Sequence, residues 1–245
     1  MEHKPYGLYE RYIKRPLDFA LCAAAIVALS PVMGATALII RKKLGSPVIF
    51  TQARPGRIDP KTGEERIFRM YKFRSMTDER DENGKLLPDE QRLPEFGKKL
   101  RATSLDELPE LFNILRGDMA LIGPRPQLVR DMVFMTPEQR QRHCVRPGLS
   151  GLAQIQGRNA ISWDSKLAAD LEYIQKITFW GDLRIVLETV AKVFRKEGIT
   201  EEGMATAMDF GDSLLQSGAI GRTEYDAKQK EALRILEMEA TDGKR

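Results

Sequence analysis

The apolar run from Phe19 to Ile40 constrains this chain more than any other feature of its sequence. A helix of these 22 residues would be roughly 33 Å long, enough to cross a hydrocarbon core of about 30 Å. The length of the run, and the lack of a small-residue cleavage site followed by polar sequence, argue against a cleavable signal peptide. We therefore expect a membrane helix, which either crosses the bilayer or enters and leaves it on one side.

Two features of this run bear on that choice. Pro31 follows Ser30 in mid-run, and because proline has no amide hydrogen, a helix would leave the Val27 carbonyl unpaired at a cost of about 3 kcal/mol. A nearby hydroxyl such as that of Ser30 can satisfy this carbonyl. Both flanks are basic, at Lys14-Arg15 and at Arg41–Lys43, which favours the cytosolic side for both ends. A helix-break-helix hinged at Ser30 and Pro31 fits both features, but prolines also kink spanning helices, so the residues alone leave both arrangements open.

The composition excludes several classes of protein. Charged residues make up 30% of the chain, too many for a polytopic membrane protein. The net charge of +4 suits an anionic partner, such as nucleic acid, a lipid surface or a phosphorylated substrate. The two cysteines, Cys22 and Cys144, do not suggest a disulfide framework, and with two histidines they lack the spacing of a zinc site.

The pattern of the chain predicts an α/β fold, rich in helix, in three parts. Residues 1–45 would be the membrane helix and its flanks, 46–205 a small mixed α/β domain, and 206–245 an appendage of two helices. Strands are expected at 47–52 and 66–74, a turn at 59–63, and helices at 105–116, 165–175 and 182–196. The last helix is amphipathic and follows Phe179-Trp180. Such a helix suits a membrane interface, although core packing produces the same pattern.

Two adjacent carboxylates, Asp106 and Glu107, precede a helical pattern. With Ser104 they read S-x-x-E, a capping box, and this is the favoured interpretation from the residues alone. Pro109 disturbs it, because the missing amide would fall where an intrahelical donor is needed. A helix that begins nearer Asp106 would place that carboxylate at the positive end of the dipole, where it stays ionised and phosphate gathers.

An ionised aspartate such as Asp106 can attack phosphorus without a general base, provided that the phosphate charge is neutralised. Two like charges about 4 Å apart repel by about 4 kcal/mol at an effective dielectric of 20. Mg²⁺ on Asp106, together with arginine clamps, would remove that repulsion. Arg125 is the preferred clamp because prolines on both sides fix its backbone. The other candidates are Arg101, Arg158, Lys72 and Arg74.

Five motifs occur in order from about residue 11 to 205: KRPLDF, VIFTQARPG, YKFRSM, RATSLDELPELFNILRGDMALIGPRP and VRPGLSGLAQIQGRNAISWD. This ordered set resembles the bacterial sugar transferase family, the monotopic phosphoglycosyl transferases. ISWD and the EEGMAT segment near 201–206 are most similar to the small members that transfer diacetylbacillosamine phosphate to undecaprenyl phosphate.

The resemblance implies a re-entrant helix hinged at Ser30 and Pro31, on the cytosolic face of the bacterial inner membrane. It implies transfer of a sugar 1-phosphate from a UDP-sugar to undecaprenyl phosphate, with release of UMP, in the first membrane step of glycoconjugate assembly. It further implies a covalent phosphosugar on Asp106, assisted by Glu107. The residues implied to hold phosphates or nucleotide are Arg101, Arg125 and Arg158.

Two other functions fit the residues. A membrane-tethered basic binding module would need no catalysis, and a phosphohydrolase would use the same carboxylate. Neither a GxxxxGK[ST] loop nor a G-x-G-x-x-G motif occurs, which argues against nucleoside triphosphatases and dinucleotide enzymes. We expect no nucleic-acid partner. A homodimer is compatible with the sequence, and residues 206–245 could pack on the core, pair two chains or recruit a further enzyme.

Overall fold

The computed structural model describes residues 3–157, 161–195 and 208–242, and this part is helix-rich α/β with one long apolar N-terminal helix, as the sequence predicts. A π-helical turn, Tyr9–Ile13, leads into the first helix, and 3-10 turns cover Leu105–Glu107 and Gln139–Cys144. The α-helices are α1 (Lys14–Leu44), α2 (Asp89–Arg92), α3 (Glu95–Ala102), α4 (Glu110–Arg116), α5 (Val129–Met132), α6 (Leu152–Gln156), α7 (Trp163–Gln175), α8 (Phe179–Arg195), α9 (Phe210–Gln216) and α10 (Arg222–Asp242).

Two small sheets accompany these helices in the described part of the chain. The strands are β1 (Ile49–Ile58), β2 (Glu65–Phe73), β3 (Ala120–Ile122) and β4 (Gly148–Ser150). β1 and β2 form an antiparallel hairpin, whereas β3 and β4 pair in parallel. The two strands predicted from the sequence are confirmed, but β1 continues six residues beyond its predicted end at position 52. The hairpin register sets Phe50 opposite Lys72.

Helix α1 continues through Pro31 from Lys14 to Leu44. The prediction of two helices separated by a break at Ser30 and Pro31 is corrected in this respect. The Ser30 hydroxyl donates a 2.8 Å hydrogen bond to the Val27 carbonyl, which is the carbonyl that proline leaves without an amide donor. Because this bond offsets the loss, helical backbone persists across the predicted hinge.

One face of α1 packs against the rest of the protein along nearly the whole helix. The first half meets β2 and α4 in a buried cluster with Met70 and Ile114. The second half meets β2 and α3 in a cluster with Phe73 and Leu100. The packed residues recur every one to four positions along one stripe: Cys22, Ala25, Ile26, Leu29, Met33, Ala37, Ile40 and Leu44. Both ends of α1 therefore lie on the same body.

The opposite face of α1 is apolar and exposed. Its large side chains expose between 42% and 75% of their surface, and they are Phe19, Leu21, Val27, Val32, Leu38 and Ile39. Tyr9–Leu44 is the one helical segment in the described ranges that is long and apolar enough to cross a membrane. An apolar surface of this extent is unusual for a protein in water and indicates a contact with lipid or protein.

Helix α8 carries a second exposed apolar face, on which Trp180 is 74% exposed. The other members of this face are Leu183, Val186, Leu187 and Val190. On its buried face, the Asp182 carboxylate accepts hydrogen bonds from Lys14 Nζ at 2.6 Å and from the Tyr9 and Tyr173 hydroxyls at 2.8 Å each. This carboxylate joins the start of α1 to α7 and α8. Phe179 and Trp180, expected to precede the helix, form its first turn.

The C-terminal helices pack on the same body. The Phe210 ring lies 5.1 Å from that of Trp163, centroid to centroid. Ala232 of α10 is buried with Val129, Met132 and Val133 of α5 and the turn that follows it. Of the three roles that the sequence left open for residues 206–245, packing on the core is thus observed for the described residues 208–242.

Candidate active site

The two carboxylates lie in a tight turn ahead of α4 rather than at the start of a long helix. Leu105–Glu107 forms one 3-10 turn, and α4 begins only at Glu110, with Pro109 as its N-cap. Ser104 has φ 54°, in the left-handed region, and its side chain caps nothing. The capping box is therefore wrong, and so is the placement of Asp106 at the helix tip. Pro109 explains both outcomes, because a residue without an amide hydrogen is tolerated at a helix start but not within it.

Glu107 is held by two cations that the sequence singled out. Its Oε1 atom lies 2.8 Å from Lys72 Nζ and 2.8 Å from Arg125 Nη2. Burial opposes the ionisation of Glu107, but the charges and hydrogen bonds of Lys72 and Arg125 outweigh burial and hold the pKa of this carboxyl well below its usual range. Glu107 is therefore an ionised anchor for both cations.

Asp106, by contrast, is 7% exposed and accepts no hydrogen bond or ion pair from any residue that the structure describes. Burial raises its pKa above the usual range, the charge of Glu107 adds to this, and Lys72, Arg101 and Arg125 oppose it. The predicted helix dipole therefore does not act on this carboxylate from the start of α4, and burial raises its pKa instead. An unpaired, desolvated carboxylate is a better nucleophile once ionised than one bound by donors.

Glu110 is a third carboxylate of this site, and sequence reasoning missed it. It is 1% exposed, and its Oε1 lies 3.2 Å from Lys72 Nζ, at an angle too poor for a hydrogen bond. Burial raises the pKa of Glu110, Lys72 opposes this and the charge of Glu107 adds to it. The signal was present in the sequence: Glu110 follows Glu107 by three residues, a spacing that brings side chains to one face of a helix.

Lys72 owes its position to Asn113, which sequence reasoning also missed. The side chain of Asn113 is fully buried, and its Oδ1 accepts the Tyr71 amide at 2.9 Å while its Nδ2 donates to the Arg69 carbonyl at 2.8 Å. The amide thereby pairs with the edge of β2 as a neighbouring strand would. It fixes α4 against β2, so that the residue after Tyr71 comes to lie over Glu107.

The remaining candidates divide into three cases. Arg101 donates from Nε to Ser75 Oγ at 3.0 Å, and its charge is felt at Asp106. Arg74 is bound elsewhere, to the carbonyls of Leu44 and Ser46 and to Asp78 at 2.9 Å, so its proposed part in the clamp is not supported. Arg158 lies outside the described residues.

The oxygen ligands that Asp106 offers suit Mg²⁺ only together with further oxygen ligands from a substrate. Within the described ranges no group of three or more His, Cys, Asp or Glu side chains could hold a metal ion by itself. Mg²⁺ usually binds through one or two carboxylates plus substrate phosphates, and keeps several waters. The Asp106 carboxylate, which has no donor of its own in the described part, fits this mode, whereas Glu107 is already bound by two cations.

Comparison with known proteins gives a consistent family. A family model described as bacterial sugar transferase matches residues 9–196. An uncharacterised sugar transferase of Bacillus subtilis, EpsL, is 46% identical over 195 residues, which are 80% of this chain and 91% of that protein.

Two relatives carry names that state a reaction. A UDP-glucose:undecaprenyl-phosphate glucose-1-phosphate transferase of Caulobacter vibrioides is 36% identical, over 72% of this chain and 68% of that protein. A UDP-N-acetylgalactosamine-undecaprenyl-phosphate N-acetylgalactosaminephosphotransferase of Aeromonas hydrophila is 38% identical, over 74% of this chain. The match spans only 44% of the Aeromonas protein, so this chain corresponds to part of that longer relative.

Proposed function

The chain belongs to the bacterial sugar transferase family, and we propose that it transfers a sugar 1-phosphate from a UDP-sugar to undecaprenyl phosphate, releasing UMP. The observation that carries this proposal is the division of labour between two adjacent carboxylates. Asp106 is buried and accepts no hydrogen bond or ion pair from any described residue, while Glu107 beside it holds Lys72 and Arg125 at 2.8 Å. A candidate nucleophile is thus adjacent in sequence to the carboxylate that holds two cations, and these could neutralise the phosphate that it attacks.

The reaction proceeds in two displacements at one phosphorus. In the first, an oxygen of Asp106 bonds to the phosphorus that carries the sugar, the bridging bond of the diphosphate breaks, and UMP leaves with the electron pair. In the second, a phosphate oxygen of undecaprenyl phosphate bonds to the same phosphorus, and the carboxylate of Asp106 leaves. One phosphoanhydride replaces another, so no net proton transfer is needed and little driving force is required.

Electrostatic stabilisation falls to the cations around the dyad. Lys72 and Arg125 can turn from Glu107 to the diphosphate, and Arg101, whose charge acts on Asp106, can add to this neutralisation. Glu107 holds these two cations in place until the UDP-sugar binds. Mg²⁺ bound by Asp106 and the phosphates would supply further neutralisation of charge. Arg158, outside the described residues, is proposed as an additional nucleotide contact.

We propose that the protein is monotopic and lies on the cytosolic face of the inner membrane. Support comes from α1, whose first half packs on β2 and α4 and whose second half packs on β2 and α3. If α1 crossed the bilayer, one of these surfaces would enter the hydrocarbon, with charged residues such as Lys99 and Arg101 of α3. The exposed apolar faces of α1 and α8 would instead enter one leaflet together.

Labelling from one side of the membrane tests this topology. Arg11→Cys and Lys42→Cys, each in a Cys144→Ser background, place a thiol before and after the exposed apolar face; Cys22 is fully buried and does not react. A membrane-impermeant maleimide should label both positions in inside-out vesicles and neither in right-side-out vesicles. Labelling of the two positions from opposite sides would establish a spanning helix.

The donor sugar is proposed from the subfamily motifs. ISWD favours UDP-diacetylbacillosamine, while the EEGMAT segment lies outside the described residues. The named relatives act on UDP-glucose and UDP-N-acetylgalactosamine. A panel of these three donors and UDP-galactose, with undecaprenyl phosphate and UMP release as the readout, ranks them. Free sugar phosphate in the absence of lipid would indicate a phosphohydrolase, and no turnover with any donor would favour a binding module.

A further inference from the structure

The segment Pro124-Arg125-Pro126 offers only one amide hydrogen in three residues, because proline has none. Its backbone can therefore be fixed chiefly through its carbonyls, and each of the three carbonyls has a donor. The Gly148 amide donates to Pro124 at 3.0 Å, Arg142 Nη2 donates to Arg125 at 2.5 Å, and Arg54 Nη1 donates to Pro126 at 3.1 Å. Two of the three donors are arginine side chains from distant parts of the chain.

Arg142 is itself rigidly held. Its side chain is fully buried, and its Nε and Nη2 atoms donate to Asp170 Oδ2 at 2.9 and 2.6 Å. Its Nη1 lies 3.1 Å from His143 Nε2. Arginine can only donate, so His143 Nε2 is the unprotonated acceptor, and Nδ1 carries the proton that faces Glu65 Oε1 at 3.1 Å. The guanidinium of Arg142 is thus oriented by partners on three sides.

Arg54 is partly buried and lacks such support. Its Nη2 donates to Gln52 at 2.7 Å, but among the described residues its buried Nε has no hydrogen-bond partner and no carboxylate lies within ion-pair distance of it. Burial lowers the pKa of Arg54 to about 10, and the like charge of Arg125 adds to this. A partly buried cation that has an unpaired Nε and a like-charged neighbour weakens the fold, so its contact with the Pro126 carbonyl needs a functional reason.

We infer that Arg142 and Arg54 are positioning residues, which fix the backbone of Arg125 so that its guanidinium can exchange Glu107 for the donor diphosphate. The inference rests on the proposed function. Neither residue touches substrate in this account; both act through Arg125, whose Nη2 lies 2.8 Å from Glu107. A displacement of about 1 Å at a positioned group can cost roughly 100-fold in rate, so loss of either carbonyl bond should be measurable.

A double-mutant cycle separates positioning from general stability. The readout is kcat/KM for the UDP-sugar, measured as UMP release with radiolabelled donor at saturating undecaprenyl phosphate. Arg142→Lys should lower kcat/KM about 10- to 100-fold, and Arg54→Gln about tenfold. In an Arg125→Gln background, each change should have less than about a twofold effect, because the group that it positions is gone. If each change lowers kcat/KM by the same factor in the Arg125→Gln background as in the wild type, the inference is wrong.

Arg140→Gln is the matched control. Arg140 lies in the same 3-10 turn as Arg142 and also pairs with a buried acid, Glu65, but it donates no hydrogen bond to residues 124–126. It should lower Tm and leave kcat/KM within about twofold. A loss equal to that of Arg142→Lys would contradict positioning. If Arg142→Lys fails to fold, Arg54→Gln completes the cycle alone. If the wild-type protein turns over no UDP-sugar, the proposed function and this inference both fail. If the wild type turns over normally but the variants lower kcat/KM by the same factor in the Arg125→Gln background, only the inference fails.

Discussion

Two clusters of acids and bases, each partly buried, lie in the described part of this protein, and they differ in how well their acids are supplied with hydrogen-bond donors. The scaffold cluster contains Glu65, Arg140, Arg142, His143 and Asp170, and each of its carboxylates is bound by an arginine. Burial opposes ionisation of Glu65, but hydrogen bonds from His143 and Arg140 outweigh it and lower the pKa to about 2. The pairing in this cluster holds the backbone in place, and only one buried oxygen of its carboxylates, Asp170 Oδ1, lacks a hydrogen-bond partner among the described residues.

The dyad cluster contains Asp106, Glu107, Glu110, Lys72 and Arg125, and its donors are unevenly shared. Both cations bind Glu107, Glu110 meets Lys72 only at a poor angle, and Asp106 has no donor among the described residues. Burial therefore raises the pKa of Asp106 and of Glu110. Asp106 is thus the one carboxylate of the two clusters without a hydrogen bond or ion pair from a described residue, which is why we propose it as the reacting group.

The largest effect should come from Asp106→Asn. Loss of the proposed nucleophile should reduce UMP release by at least about 1,000-fold, while Tm stays equal or rises, because the change removes a buried carboxylate to which no described residue donates. Glu65→Gln is the counterpart in the scaffold cluster and should lower Tm with a far smaller effect on turnover. The comparison fails if Asp106→Asn keeps near-normal turnover, or if it unfolds the protein.

Glu107→Gln should have the next largest effect. It leaves Lys72 and Arg125 without their shared counter-charge, so turnover should fall about 10- to 100-fold and Tm should fall with it. Glu107→Gln should thus lose both turnover and stability, whereas Asp106→Asn should lose activity without losing stability. Parallel assays of UMP release and thermal unfolding on both variants measure the difference. Identical profiles would mean that the two carboxylates share one role.

A smaller effect is expected for Glu110→Gln. The pKa of Glu110 is higher in the folded than in the unfolded chain, so ionisation of Glu110 destabilises the fold. The free energy of unfolding therefore decreases as the pH rises through the folded-state pKa. The variant should gain Tm at pH 8 and little at pH 5, with turnover changed only a few-fold. Thermal unfolding at the two pH values tests this, and a loss of Tm at pH 8 would show that Glu110 is needed to hold Lys72.

The smallest effect on stability is expected from His143 in the scaffold cluster, and its pH dependence is opposite in sign to that of Glu110. Burial lowers the pKa of His143 to about 4, the charges of Arg142 and Arg140 act in the same direction, and Glu65 opposes them. Between about pH 6.5 and pH 4 only the unfolded chain takes up this proton. The free energy of unfolding therefore decreases as the pH is lowered, by at most about 1.4 kcal/mol per pH unit.

His143→Gln keeps one donor and one acceptor but cannot titrate. Its Tm should therefore fall less than that of the wild type between pH 7 and pH 5. Equal falls in the two proteins would show that His143 does not titrate in this range.

The sequence predicted what local patterns determine. The apolar run of α1, the hairpin, the adjacent carboxylates and the importance of Arg125 between two prolines could all be identified from neighbouring residues. Pro109 was recognised as incompatible with a capping box, although the 3-10 turn that resolves the conflict was not predicted. Glu110 could have been found from its spacing to Glu107.

The remaining features depend on contacts between distant residues. Lys72 reaches Glu107 across 35 residues, and Arg142 reaches Asp170 across 28. The amide of Asn113 pairs with the backbone of β2 more than 40 residues away. The burial that raises the pKa of Asp106 could not be predicted for the same reason, because it depends on contacts made by tertiary packing rather than on neighbours in sequence.

The central claim is that Asp106 carries the phosphosugar in a covalent intermediate, and exchange in the absence of lipid tests it most directly. Wild-type protein, UDP-sugar and labelled UMP are incubated without undecaprenyl phosphate, and label in UDP-sugar is measured. Reversal of the first displacement should move label into UDP-sugar with the wild type and not with Asp106→Asn. If no label enters UDP-sugar at high enzyme concentration, while the same preparation turns over once lipid is added, the transfer occurs in one step and the claim is wrong.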